Sequence, residues 1–437
     1  MAFIRPFRAW RYDTLRVPDL KQVVAPLFDV VNEEQRAQLL AQPDNAIHLT
    51  NPPGTEQAVA TWHRLVKHKI VVQDGLPAFY PYYQYYNLYG EQTQRVRKGF
   101  VAWVRIEPED DAADIIPHEQ TLPGSVAGMV QLYEALGLQL SPTHGLYADP
   151  DQLLERWTDT YMRYPLHSVI DYQRVVNQLS AIQHAEHIRT FQRVMAHKTI
   201  WLADGHHRLA SSRQYLRNLL AREPNLPPEH PARYHLMYLT NLAGEEQRIL
   251  PTHRVLRLPA GLDAAGLRER LSEWFRFTEL DMRQPLYAHF GQGVRAMGFL
   301  AGEDGWRMDL KPGVQAEDLT AHLPLAPVVR RLVYTLLHGL VFDRVVGIPY
   351  GDQTRNPAIR YVKEYTAAAE AALEPGTVSF LMPEVSLQEM MDVCQAGELM
   401  PPKSTFFYPK VVTGLTFSDY NDDLPCAPFD SRFTVAS

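Results

Sequence analysis

Asp204-Gly205-His206-His207-Arg208 packs a carboxylate, two imidazoles and a guanidinium into five residues around one glycine. Such a set suits the handling of an anion. Arg208 can offer paired N–H donors to phosphate oxygens, Asp204 can hold a metal ion or a proton, and the imidazoles titrate near neutrality. Gly205 lets the backbone turn sharply and approach a ligand closely. Adjacent residues of a helix point about 100° apart, so one imidazole faces the ligand while the other supports the turn, and joint ligation of one metal is disfavoured. The plainer alternative is that Asp204 caps a helix and the histidines lie on the surface.

Other segments have a similar form. His118-Glu119 and His253-Arg254 each follow a proline, or a proline and one further residue, at the end of an apolar run. Lys403-Ser404-Thr405 sits between Pro402 and Pro409. Glu119 is the candidate general base, able to take a proton from a substrate hydroxyl, and Arg208, Arg254 and Lys403 are candidates to neutralise a transferring phosphoryl group. For His118 and His253 a structural bond to a loop carbonyl is the preferred reading. Neither the Gly-x-x-x-x-Gly-Lys-Ser/Thr loop nor the protein-kinase Asp-Phe-Gly and His-Arg-Asp set occurs in the chain.

These residues need a scaffold. Lys198 to Ala203 reads as a short buried strand, and Leu209, Ser212, Leu216, Leu219 and Leu220 give one face of a helix that stops before Pro224. A strand turning directly into a helix places free N–H groups and the positive end of the helix dipole at a sheet edge, where anions bind. Upstream, Val23 to Val31 reads as a strand and Glu33 to Leu40 as a helix, while Phe79 to Tyr89 and Arg95 to Ile106 form a hairpin about Gly90-Glu91 with aromatics on both faces. An acidic loop spans Glu107 to Asp114. Helices are expected near Met129 to Leu138, within Pro150 to Arg163 and within Val176 to Met195. Tyr234 to Leu242 reads as a strand with Ile249 to Arg254 as its hairpin partner. Beyond Leu256 a separate α+β unit is expected, in which Ser386 and Glu389 mark a capping box and Gly397 a helix stop.

Composition bounds the class. A length of 437 residues, 46% hydrophobic and 21% charged, fits two or three globular domains. The boundary is placed at 256, giving residues 1–256 and 257–437. A net charge of −7 argues against a protein built to hold a nucleic-acid backbone. Cys394 and Cys426 are the two cysteines and have no metal-site spacing, which points to a reducing, cytoplasmic setting. No signal peptide or membrane span is expected.

Phe7-Arg8-Ala9, Val24-Ala25-Pro26 with Asp29-Val30-Val31, Pro117-His118-Glu119 with Thr121, and Ser141-Pro142 ahead of Gly145-Leu146-Tyr147 resemble, in order, signatures of the bacterial domain of unknown function 1015 (DUF1015). Ala203 to Arg208, Leu250 to Arg254, Met400 to Thr405 and Tyr408-Pro409-Lys410 continue the resemblance, which covers most of the chain. Leu27-Phe28 departs from an expected Pro-Tyr, and Gly128-Met129 from an expected Asp-Arg pair. The Asp204 to Arg208 segment is also similar to one in the free serine kinases of the ParB and sulfiredoxin-like superfamily. That likeness implies a ParB-like strand-turn-helix core in mixed sheets, of α/β to α+β class, with nucleotide phosphates bound at the helix after the turn.

The expected function is therefore a nucleotide-dependent phosphotransferase acting on a small hydroxyl compound, with free serine as one candidate, ATP or ADP as nucleotide and Mg²⁺ as cofactor. Glu119, Asp204 and His207 take catalytic roles in this scheme, Asp204 also as metal ligand. Gly205, His206, Arg208, Arg254 and Lys403 bind phosphate. The rivals are a nucleotide-binding regulator without turnover and a metal-dependent phosphatase or hydrolase.

Overall fold

The structure is a computed structural model that describes residues 2–88, 93–108, 114–121, 123–244, 247–285, 289–290 and 295–422. The expected hairpin turn at Gly90-Glu91, most of the acidic loop, Glu245-Glu246 and Cys426 lie outside these residues. Two compact units are present. The first comprises Met1–Pro117, Thr121–Glu246 and Pro409–Ser437, and the second His118–Gln120 with Gln247–Tyr408. The division thus falls ten residues before the expected boundary at 256, and the chain re-enters the first unit at Pro409.

The first unit is built on a mixed sheet that holds nine strands among the described residues. They are β1 (Ile4–Arg5), β2 (Tyr80–Tyr86), β3 (Arg95–Arg105), β4 (Ile115–Ile116), β5 (Thr143–Tyr147), β6 (His167–Ile170), β7 (Val176–Leu179), β8 (Ile200–Asp204) and β9 (Tyr234–Asn241). Their order is β4-β8-β5-β9-β3-β2-β7-β6, with β1 paired to β3. Strand β8 runs parallel to β4 and antiparallel to β5, and β9 runs parallel to β5. The central strands are covered on both sides, which explains their near-continuous apolar text. Val101 and Trp103 enter one core with Leu236 and Tyr238, whereas Phe100, Ala102 and Val104 enter the other with Met237 and Leu239.

Helices α1 (Thr55–Lys67), α2 (Pro123–Leu136), α3 (Ala185–Met195) and α4 (His206–Arg222) accompany this sheet. Helix α2 starts six residues before the expected Met129 and stops at Gly137, whose φ of 68° suits glycine. The helix expected within Val176 to Met195 is Ala185–Met195, and the head of that stretch, Val176–Leu179, is a strand between Tyr82–Tyr85 and His167–Ile170 in the sheet. One expectation is corrected. Val23 to Val31 is no strand, and Ala25 makes a single bridge to Thr413. The helix over Glu33–Leu40 is present, capped by the Asn32 side chain.

The returning segment is part of this unit's core. Phe417 N–H donates to Trp10 O at 2.9 Å, Trp103 Nε1–H to Ser418 Oγ at 2.6 Å, and Val411, Val412 and Phe417 are buried. Arg8 pairs with Asp422.

The second unit has a six-stranded sheet of β10 (His253–Arg257), β11 (Phe275–Glu279), β12 (Met297–Ala301), β13 (Asp304–Leu310), β14 (Ile359–Val362) and β15 (Thr377–Leu381). The order is β11-β13-β12-β15-β10-β14, antiparallel throughout. Ile249 to Arg254 is not the hairpin partner of β9. Arg248–Leu250 pairs with Phe406–Tyr408, and His253 opens β10 after the break at Pro251-Thr252. Helix α5 (Leu387–Gln395) carries the expected capping box between Ser386 and Glu389, and Gly397 follows at φ 71°.

Several imidazoles are buried in neutral form. His235 in the first unit and His253 and His338 in the second are pushed down to about 3, by burial first and by neighbouring arginines second. An unfolded chain takes up these protons near pH 6.5, before the folded one does, so their contribution to stability is lost as pH falls from about 6.5 towards 3. At pH 5 the loss should be roughly 2 kcal/mol per group. Urea unfolding at pH 7, 6 and 5 measures it; a midpoint independent of pH over that range would contradict the burial assignment.

Candidate functional site

The turn between β8 and α4 is set by Gly205 at φ 93°, a left-handed conformation. A Cβ added there would lie 2.6 Å from Thr143 Cγ2 and 2.8 Å from Arg208 Nη2, so the position has no room for a side chain. Helix α4 makes its first backbone bond from Leu209 N–H to Gly205 O at 3.0 Å. Leu209 and Leu216 anchor the helix in the core beneath the sheet.

Asp204 ends β8 opposite His144 of β5, where the register shifts. Its two oxygens face two cations. Arg208 Nη2 donates to Oδ2 at 2.7 Å, and Lys410 Nζ pairs with Oδ1. Burial by itself would raise the Asp204 pKa, but Lys410 and then Arg208 reverse the effect, and the carboxyl is held well below its usual range. His144 is driven the other way. Burial and the charge of Arg97 lower its pKa far below that of free imidazole, and its Nε2 lies 2.8 Å from Thr240 Oγ1.

Arg97 and Lys410 belong to one arrangement. Arg97 is buried over the Tyr238 ring, 5.6 Å from its centroid, and donates to Gln84 Oε1 and to Pro409 O. Gln84 Nε2 donates to Lys410 O at 2.9 Å. Strands β2 and β3 therefore grip the returning chain at Pro409-Lys410 and hold the lysine against Asp204.

This geometry revises two roles read from the sequence. Arg208 is only 3% exposed, and its Nη1 and Nη2 donate to Pro142 O and Asp204, so it first acts as a brace of the turn. Asp204 has both oxygens committed to cations, so it does not fit a Mg²⁺ ligand. His206 is buried and His207 half-buried at the start of α4. Lys410, Arg97 and His144 were not among the expected site residues. Lys410 stood in the sequence only as the end of a matched signature.

A cavity of about 300 Å³ opens beside Arg208 within the first unit. Its polar rim includes Thr50 and Asn51, at the end of the short helix Ile47–Thr50, Gly54 and Thr55, at the start of α1, and Gly124 and Ser125, at the start of α2. Phe28, Met129, Leu132, Tyr133 and Leu140 give it an apolar wall. A Cβ added at Gly124 or at Gly128 would meet nothing within 4 Å, so the first turns of α2 are open. Phe28, Gly128 and Met129, three residues at which the sequence departs from the DUF1015 signatures, all line this cavity.

The remaining sequence candidates lie in the second unit. Arg254 is fully buried: Nε donates to His338 Nε2 at 3.1 Å, Nη1 to Thr252 O, and Nη2 to Pro402 O and Lys403 O at 3.0 and 3.1 Å. It is thus spent on protein acceptors instead of a phosphate. Lys403 is exposed, and Glu119 is half-buried. His118 Nε2 lies 2.8 Å from Thr405 Oγ1, and Met400 N–H donates to His118 O at 2.8 Å. The structure therefore brings His118-Glu119 and the Lys403 turn together, with Arg254 beneath that turn.

The profile of a family described as a protein of unknown function, DUF1015, matches residues 4–332. The chain belongs to this family. No curated protein matches the DUF1015 chain. Among solved structures it is similar to a mutant free serine kinase in complex with ADP, at 13% identity and TM-score 0.35 over 72% of this chain and 91% of that one. It is also similar to a conserved hypothetical protein from Pyrococcus furiosus, at 16% identity and TM-score 0.32 over 72% and 94% of the two chains. A C-terminally truncated SbnI from Staphylococcus aureus aligns at 12% identity and TM-score 0.34 over 74% and 90%. Likeness at this level carries no argument about ligand or reaction. Among the described residues no helix is long and apolar enough to cross a membrane.

Proposed function

We propose that this DUF1015 protein is a nucleotide-dependent phosphotransferase acting on a small hydroxyl compound, with the nucleotide held by the first unit. The observation that carries the reading is the cavity beside Arg208, which joins an apolar wall to the starts of two helices. A nucleobase or ribose suits the Phe28, Met129 and Leu140 wall. Phosphate oxygens suit the first-turn amides at Thr55 and Gly124, where the backbone is open and the helix dipole positive. The strand-turn-helix at Asp204 to Arg208, of ParB-like kind in this reading, braces the cavity and holds Arg208 beside it. Gly205, His206 and His207 shape that helix start.

Glu119 takes the role of base for the substrate hydroxyl, and free serine is the first compound to try. The test is ATP consumption and phosphoryl transfer to a panel of small hydroxyl compounds, with the parent chain and Glu119→Gln. The amide keeps the shape of the carboxylate and loses its basicity, so turnover should fall by about 10² to 10⁴ with ADP affinity unchanged. Full turnover in Glu119→Gln would remove the proposed base.

A second reading, nucleotide binding without turnover, is favoured by Asp204, whose oxygens are committed to Lys410 and Arg208 and leave no carboxylate of this turn for Mg²⁺. ADP binding together with no phosphoryl transfer to any acceptor would select it.

A further inference from the structure

Exposure falls steadily along the face of α2 that lines the cavity beside Arg208. Gly124, Ser125 and Gly128 are exposed, Met129 is half-buried, and Leu132 and Tyr133 are buried. The stretch from Gly124 to Tyr133 spans about 13 Å of helix, so the cavity runs from an open end at the helix start to a closed end. Leu140, Ser141 and Arg208, all buried, complete the closed end.

Two hydroxyls stand there without a partner. Tyr133 is 2% exposed and Ser141 7%, both line the cavity, and neither side chain makes a hydrogen bond among the described residues. A buried hydroxyl is ordinarily paired. Tyr12 of the same unit donates to Asp44 O at 2.7 Å, Tyr82 to Asn177 Oδ1 at 2.6 Å and Tyr83 to Thr158 Oγ1 at 2.7 Å. The Tyr133 phenol lies in the field of Arg208, whose charge acts against the rise in pKa that burial causes. Arg208 Nη1 also donates to the carbonyl of Pro142, the residue after Ser141. One guanidinium thus ties both hydroxyls to the same end of the cavity.

The closed end suits a neutral heterocycle better than a phosphate. Arg208 is committed to Asp204 and Pro142 O, and Met129, Leu132 and Leu140 line the cavity with the two hydroxyls. A doubly charged group placed there would forfeit more hydration than two neutral hydrogen bonds return. A hydroxyl both donates and accepts, so it can meet the ring nitrogens and exocyclic groups of a base. We infer that Tyr133 and Ser141 are specificity-determining residues that read the base edge of a purine nucleotide whose phosphates lie at the open end. A pyrimidine, one ring shorter, falls short of both. This rests on the nucleotide reading above.

The test titrates the full chain with ADP and with UDP by calorimetry, for the parent, Tyr133→Phe, Ser141→Ala and the double variant, with weak UDP binding read by displacement of ADP. The melting temperature of each protein is recorded beside it. Each single variant should bind ADP about 3- to 10-fold more weakly, the scale of one neutral hydrogen bond, and UDP as the parent does. The parent should prefer ADP over UDP by about tenfold or more, and the double variant should lose that preference. Melting temperatures should equal the parent's or exceed it by up to about 4 °C, because the substitutions remove no bond of the fold and delete a buried unpaired hydroxyl.

Equal losses for ADP and UDP would put the hydroxyls on ribose or phosphate and overturn the inference, as would unchanged ADP affinity in the double variant. A melting temperature lowered by more than about 2 °C in either single variant would show that its hydroxyl belongs to the fold, and would overturn it too. If the parent binds neither nucleotide, the nucleotide reading itself fails and the inference with it. If the parent binds ADP and the variants bind it equally well, the inference alone fails.

Discussion

Asp204→Asn should destabilise the first unit by about 3 to 5 kcal/mol, because it removes a buried charge that pairs with two buried cations without changing the shape of the site. Arg208 and Lys410 both aim at this carboxylate, and Arg97 lies close enough to depress the His144 pKa. An amide offers one acceptor and places its NH₂ against a cation. The effect should depend on pH in a stated direction. Asp204 titrates below the usual carboxylate range in the fold, so the unfolded chain takes up its proton first. The stabilisation is complete above about pH 4 and is lost as pH falls, narrowing the gap between parent and Asp204→Asn by roughly 1 kcal/mol at pH 3. Urea unfolding of both proteins at pH 7 and pH 3 checks the magnitude and the sign. A gap under 1 kcal/mol at pH 7, or one that widens in acid, would contradict the ion-pair account.

Gly205→Ala should cost about 2 to 5 kcal/mol, combining the penalty of a left-handed alanine with overpacking. The new methyl would press on Thr143 Cγ2 and on the Arg208 guanidinium at distances no real Cβ tolerates. Relief requires Arg208 to leave Asp204, so the cavity wall should shift along with the stability. Equilibrium unfolding, paired with ADP titration of the folded fraction, measures both. A near-neutral change in stability would mean that the turn is looser than its geometry indicates.

The strand-turn-helix was legible because every local signal agreed: an apolar run, Asp-Gly at the turn, then leucines at helical spacing that the structure buries at Leu209 and Leu216. The capping box at Ser386 and Glu389 was legible for the same reason. What failed depended on distant partners. The helix within Val176 to Met195 begins only at Ala185, because Val176–Leu179, four residues long, pairs with β2 and β6. The apparent hairpin after Tyr234–Asn241 was broken by Pro251, and its two halves pair with segments more than a hundred residues away.

Site chemistry follows the same division. Residue types at Asp204 to Arg208 announced ionic work, but not with whom. Lys410 meets Asp204 across 206 residues, a pairing no spacing rule reaches. Arg254 was read as a phosphate ligand from its type alone, and its complete burial over tyrosine rings is a tertiary fact. The acid-base role of Glu119 is a matter of reaction chemistry, addressed by turnover.

The central claim is that the cavity beside Arg208 holds a nucleotide, and calorimetric titration of the full chain with ADP, for the parent and for Gly128→Trp, tests it most directly. Gly128 lines the cavity, and a Cβ there has nothing within 4 Å, so the indole should fill the space without strain and with no loss of helix stability. The account predicts saturable one-site binding by the parent and at least a tenfold loss of affinity in the variant, a difference of about 1.4 kcal/mol or more. No binding by the parent, or equal affinity in Gly128→Trp, would contradict it.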